Sequence, residues 1–223
     1  MGKIKLSILI LSIHERVNST YLKLINQLKN QIGNREDIEV VSLYDNMVIE
    51  VGEKRNKLLS IAQGKYLTFI DDDDRVSDDY ISLLMNVIKK NKNEDCIVFD
   101  CLCILFERNM EVLCKYGIEY EYWWSEDKKH WRGKPAHTMV LKSGIVKKHR
   151  FRGAVGEDMD WVNRVIPHIK TQARINKILY YYQKGIVPKP PRKGKSKNIL
   201  PIAKIIEENK RKGISYSNEV VNK

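Results

Sequence analysis

The chain has 223 residues, 43% of them hydrophobic and 30% charged, and carries a formal net charge of +12 at pH 7. That length supplies one large domain, or one domain with an appendage, and enough chain to bury a core. The balance excludes a disordered chain, and no run approaches the roughly 18 apolar residues of a membrane span.

The opening Met1-Gly2-Lys3 and the apolar Leu6–Ile13 outline a signal peptide. The apolar run is short and no small-residue cleavage site follows, so a first strand and a cytoplasmic protein are expected. Leu22, Ile25 and Leu28 predict an amphipathic helix over Ser19–Gln31, started by Asn18 or Ser19. Ile38–Tyr44 reads as a second strand ending at Asp45-Asn46, and Glu53–Gly64 as a helix with Gly64 at its C-cap. Tyr66–Ile70 predicts a third strand, which runs into four aspartates, Asp71, Asp72, Asp73 and Asp74. Ser77 is the expected cap of the next helix, with Asp78 and Asp79 in its first turn.

Cys96–Phe106 is the fourth strand, and its alternation puts Cys101 and Cys103 on one face. With Cys96 and Cys114 these make four cysteines without a CxxC pair, which reads as buried thiols in a reducing compartment rather than zinc ligands. Beyond Lys115 the pattern loosens into irregular strands and a long loop. Trp123, Trp124 and Trp131 lie there, their rings open to two readings: stacking on a sugar or base, or ordinary packing. A strand and short helix over His137–Phe151, a helix over Gly156–Lys170 and a last strand over Ile175–Gln183 complete the folded part. Residues 184–223 carry 11 Lys and Arg against 3 Asp and Glu, so this segment holds +8 of the total charge. It is read as a basic linker and a C-terminal helix, serving either as a solvated tail or as a surface for phosphate-rich partners such as nucleic acid or anionic lipid.

The alternation of strands and helices argues an α/β fold with an open, mostly parallel sheet, in which ligands bind beyond the carboxyl ends of the strands. Asp45 and the four aspartates share such an edge. Carboxylates clustered on a turn after a buried strand suit Mg²⁺ or Mn²⁺, hard cations that keep positions open for substrate phosphates.

The stretch GEKRNKLLSIAQGKYLTFIDDDDRVSDDYI resembles family 2 glycosyltransferases of the GT-A fold, with their R-N helix, A-x-G-x-Y turn and D-x-D-D strand end. The opening strand and helix, VVSLYDN and the later GEDMDW are similar to further parts of that pattern, so the likeness covers roughly residues 6–183. It implies one domain over residues 1–183, Rossmann-like and nucleotide-sugar-binding over 1–110 and acceptor-binding and catalytic over 111–183. Carried over by position, it makes Asp73 the direct ligand of a divalent metal. Asp71 and Asp72 would face the ribose, with Asp71 also near the metal. Asp45 would meet the base with Ser12 and Arg16 nearby, and Arg55 would lie against the nucleotide. Asp158 would be the general base, with Glu157 orienting it or holding the acceptor. His137 and the tryptophans Trp123 and Trp124 fall on the acceptor side.

The chain departs from the pattern twice: few residues separate Asp45 from GEKRN, and YYYQKGIVPKPP lacks the family's terminal metal-binding histidine. The implied activity is a metal-dependent, inverting transfer from a UDP-sugar to a hydroxyl of a glycan or lipid-linked acceptor, with peripheral membrane contact compatible. Two alternatives stand beside it: transfer to modified bases of nucleic acid through the basic tail, and a non-catalytic nucleotide- or nucleic-acid-binding module. Asp73 and Asp158 argue against the last, because binding alone needs no base.

Overall fold

A computed structural model describes residues 4–90, 93–153 and 155–185. The linker and helix expected over 184–223 lie outside the described residues from 186 onward. Strand β1 (Leu6–Ile13) is almost wholly buried and runs straight into helical chain: α1 (His14–Arg16), a wider π turn (Val17–Tyr21) and α2 (Leu22–Ile32). Asn18 and Ser19 therefore sit inside the helical run instead of capping it. Within that run Arg16 pairs with Asp72, and the Ser19 hydroxyl donates back to the Arg16 carbonyl at 3.1 Å.

Strand β2 (Ile38–Asp45), α3 (Val51–Ile61), β3 (Tyr66–Asp71) and the short β4 (Arg75–Val76) follow. Helix α3 stops before Gly64, so Gly64 is not its cap. Its N–H donates to Ser7 Oγ at 2.7 Å, and a Cβ there would lie 2.5 Å from that oxygen. The glycine is needed for close approach to β1. Ser77 likewise does not cap α4 (Tyr80–Lys90) with its side chain; its hydroxyl turns to Asp79, and its carbonyl accepts from Tyr80 N–H.

Strand β5 (Cys96–Leu105) is followed by β6 (Met110–Tyr116), the hairpin strands β7 (Trp123–Trp124) and β8 (His130–Gly133), β9 (Val140–Lys142) and α5 (Ser143–Val146). Helix α6 (Glu157–Val165) tightens into a 3-10 turn at Ile166–His168, short of Lys170, where Pro167 removes a helical donor. Strand β10 (Gln172–Lys184) is longer than expected at both ends and irregular between Ile175 and Tyr180.

The sheet order is β2-β1-β3-β9-β5-β6-β8-β7, with β10 along the other edge of β5. It is parallel across β2, β1 and β3, as expected. Strand β9 then enters antiparallel between β3 and β5, and β6 is antiparallel to β5, so the sheet becomes mixed beyond β3. Leu6, Ile8, Leu9, Ile10, Phe99 and Leu179 are completely buried at its centre. No described helix is long and apolar enough to cross a membrane.

Candidate active site

The carboxyl ends of β1 and β3 open on a groove of about 310 Å³ lined by Ser12, Arg16, Lys54, Arg55 and Asp71–Asp73, with β10 closing it through Tyr182 and Gln183. Four adjacent carboxylates would repel one another, and the fold answers by giving each a cation or hydrogen-bond donor, with Arg16 shared between two of them. Asp72 is buried and accepts from Ser12 Oγ at 2.5 Å and Arg16 Nη1 at 2.7 Å. Asp73 is more open and meets the same Arg16 nitrogen at 3.1 Å. Burial raises its carboxyl against the pull of Arg16, and the charges of Asp71 and Asp72 add to the rise.

Asp74 turns the other way. Its carboxylate accepts from Tyr180 Oη at 2.6 Å and from Gln183 N–H at 2.8 Å. Burial and the neighbouring Asp71 push it up to about 8. Asp71 is subject to the same burial, yet the Arg55 guanidinium and the His137 imidazole hold it well below the usual carboxylate range. Asp71 therefore keeps its charge at neutral pH.

Arg55 joins two parts of the chain. Its Nη2 lies 3.1 Å from Asp71 Oδ1 and its Nε 3.4 Å from Glu157 Oε1. The guanidinium stands 5.0 Å from the Phe69 ring centre and 5.6 Å from that of Phe151. Phe151 in turn stacks on Trp161 at 4.5 Å, and the Trp161 indole donates to the His149 carbonyl. This aromatic column fixes the first turn of α6 against α3. Gly52 makes the approach possible, because a Cβ on it would sit 2.5 Å from the Gly153 carbonyl oxygen.

On the other side of Asp71 lies a cavity of about 520 Å³. Asp158 reaches it from α6 and His137 from the segment before β9. The His137 ring stands between the two carboxylates, with Nε2 3.8 Å from Asp71 Oδ2 and Nδ1 3.8 Å from Asp158 Oδ2. Both distances are too long for hydrogen bonds, and Nε2 is a buried atom without a partner.

The structure thus brings Ser12, Arg16, Arg55, Asp71, Asp72 and Asp73 together in the groove, and Asp158, His137 and Trp124 in the cavity. Asp45 ends β2 as expected, but its carboxylate points inward. It pairs with Lys54 Nζ and accepts from the amides of Val48 and Ile49 at 2.7 and 2.6 Å, so it shapes the loop and does not line the groove. Trp123 does not line the cavity either. The alternation of β7 turns it away to meet Arg132 at 5.0 Å, while Trp124 faces in. Glu157 is committed to Arg55. Cys101 and Cys103 do share a face, which forms part of the cavity wall.

Sequence reasoning missed Lys54 and Tyr180. Lys54 precedes Leu58 by four residues, on the buried stripe of α3, and that placement was a readable signal of a buried cation. Tyr180 sits within a tyrosine run that does not single it out. Among the described residues, no group of three or more His, Cys, Asp or Glu forms a metal centre. Asp71 and Asp73 still suit a hard divalent cation, because both are oxygen donors opening on one groove.

Residues 22–103 match the family Glycosyl transferase family 2. No curated protein sequence matches the chain. The fold is similar to that of residues 1–349 of S. aureus TarS solved with UDP, at 15% identity and a TM-score of 0.59, over 81% of this chain and 60% of that one. The UDP-GlcNAc complex of the same TarS fragment is similar at 15% identity and a TM-score of 0.55, over 92% and 64%. The chain therefore spans less than two thirds of the length of these neighbours, and the likeness is one of GT-A fold.

Proposed function

We propose that this chain, whose residues 22–103 carry the glycosyl transferase family 2 pattern, moves a sugar from a UDP-sugar to an acceptor hydroxyl with inversion at the anomeric carbon. The observation that supports it most is the meeting of two cavities at Asp71: a charged groove rich in carboxylates and cations, and a second cavity into which Asp158 presents a partly exposed carboxylate. The nucleotide lies in the groove, with Arg55 and Arg16 supplying positive charge and Lys54 holding the adjoining loop through Asp45. Asp73 and Asp71 would hold a divalent cation, which would supply positive charge for the diphosphate leaving group.

Asp158 is the base. The acceptor oxygen bonds to the anomeric carbon as its proton passes to the Asp158 carboxylate. The bond from that carbon to the diphosphate breaks, and its electron pair leaves on phosphate oxygen. Asp158 is more exposed than Glu157 and faces the cavity, while Glu157 is tied to Arg55, which separates a reactive acid from a structural one. Arg55 bridges Asp71 and Glu157 and so ties the geometry of the groove to that of α6.

Calorimetric titration of UDP with and without Mn²⁺ tests the donor side. The wild type is expected to bind more tightly with Mn²⁺, and Asp73→Ala to lose that difference while unfolding at a similar temperature. A folded Asp73→Ala that keeps the full Mn²⁺ effect overturns the metal assignment.

A further inference from the structure

The cavity beside Asp158 is poor in the acidic and amide side chains that hold a hydroxyl-rich ring and rich in thiols and aromatic rings. Hydroxyl-rich rings are ordinarily held by carboxylates and amides, yet among the described residues no Asn, Gln or Glu side chain lines this space. Its carboxylates among those residues are Asp71 and Asp158, both already placed in the reaction. Cys101, Cys103 and Cys114 line it with Val112. Burial keeps these thiols protonated, raising Cys103 to about 11 and Cys114 to about 12. Such groups offer an occupant dispersion contacts and almost no hydrogen bonding.

The remaining wall is aromatic. Trp131 is held edge-on by Tyr116 at 5.1 Å and flanked by Tyr122 at 6.0 Å, so the ring stands in place before any ligand arrives. Trp124 and Tyr122 add ring surface that is about half exposed. Lys134 is occupied by Glu121 and the Ile118 carbonyl, but Arg108 and Lys184 have no ion-pair partner among the described residues. Both are exposed at the C-terminal ends of β5 and β10, where Lys184 pairs in register with Leu105. The volume, about 520 Å³, suits a small molecule or the terminal part of a larger one.

We infer that the cavity receives an acceptor whose hydroxyl is carried on an apolar, ring-bearing body with an anionic group, the hydroxyl lying between His137 and Asp158 and the anion within reach of Arg108 and Lys184. His137 Nδ1, which stands 3.8 Å from Asp158 Oδ2, supplies a hydrogen-bonding group at the hydroxyl end. The direction of the hydroxyl rests on the glycosyl-transfer reading; the apolar body and the anion rest on the cavity lining.

The test is binding of three probes to the full chain, followed by ligand-observed NMR and tryptophan fluorescence: 3-(4-hydroxyphenyl)propionate, its uncharged counterpart tyrosol, and methyl glucuronide, which pairs the same carboxylate with a hydroxyl-rich body. Hydroxyphenylpropionate is expected to bind at least about tenfold more tightly than methyl glucuronide. Arg108→Gln combined with Lys184→Gln, two exposed changes that spare the core, should weaken hydroxyphenylpropionate and leave tyrosol unchanged. Trp131→Ala should weaken both aromatic probes. Failure of hydroxyphenylpropionate to bind, binding no tighter than methyl glucuronide, or binding indifferent to the Arg108 and Lys184 changes overturns the inference. UDP titration of the same samples separates the two readings. UDP binding with a preference for glucuronide removes the cavity assignment alone, while aryl binding without UDP binding removes the donor assignment alone.

Discussion

In the proposed donor groove the charges have partners in place, Asp72 with Ser12 and Arg16 and Asp71 with Arg55, and outside it Asp74 is held by Tyr180 and Gln183 and Asp45 by Lys54. The proposed acceptor cavity, across Asp71, has thiols, tryptophans and tyrosines for walls, and Arg108 and Lys184, the latter shared with the groove, have no ion-pair partner among the described residues. The groove is built from long-range polar contacts that fix its shape, as suits the crowded charges of a diphosphate and a metal. Apart from Asp71, Asp158 and Tyr180, which holds Asp74, much of the cavity is built from thiols and rings that pair with no buried charge. Recognition of the acceptor can therefore diverge while the donor machinery stays intact.

The largest effect that separates the two sides belongs to Asp158. Asp158→Asn keeps the size of the side chain but removes the proton acceptor, and transfer is expected to fall by about 10²–10⁴-fold. UDP affinity should stay near wild type, because the donor contacts lie on the far side of Asp71; the pattern is loss of a transition-state interaction. Measured kcat together with calorimetric UDP binding checks both halves, and wild-type transfer would place the base elsewhere.

Next comes Lys54, the charge that the groove hides. Lys54→Met leaves Asp45 buried without its counter-ion and is expected to cost about 3–5 kcal/mol in a denaturant titration. Adding Asp45→Asn should recover part of the loss, since the stranded charge is then gone. A single mutant as stable as the wild type would mean that the pair is not desolvated in solution.

Gly52→Ala tests the seam between the sides. The new methyl would meet the Gly153 carbonyl, and α3 or the loop must move, costing about 1–3 kcal/mol as overpacking does. Because α3 carries Arg55, both UDP affinity and transfer should drop with stability; a stability loss with unaltered kinetics would show that Arg55 does not depend on this contact. Asp160→Asn is the smallest. Asp160 is exposed and pairs only with Arg164 one turn along, so thermal stability and transfer should both remain near wild type.

Much of the parallel half was readable because Leu6–Ile13 and Tyr66–Ile70 are continuous apolar runs with turn signals at their ends. Strand β9 was harder, since three residues carry no period, and its antiparallel insertion between β3 and β5 depends on contacts far along the chain. The aspartate run announced a site but could not assign its members. Ser12, Arg16, Tyr180 and Gln183, which sort Asp72 from Asp74, lie more than fifty residues away from them. Asp45 illustrates the same limit: its position at a strand end was legible, and its inward turn toward Lys54 was not.

Strand β10 has a consequence for the order in which the protein becomes competent during synthesis. Asp74 receives Tyr180 and Gln183 only from this strand, which lies along β5 and, at Tyr180 and Tyr181, beside β4. Strands β1, β2 and β3 can pair on the ribosome as soon as they emerge, but the acidic turn at the end of β3 then waits for about a hundred further residues, some 5–20 s of translation at typical elongation rates. Until β10 docks, Asp74 lacks the partners that bury it, and the lip formed by Tyr182 and Gln183 is missing from the groove. A nascent chain released before Lys184 would hold the whole aspartate run and yet have no finished place for a nucleotide.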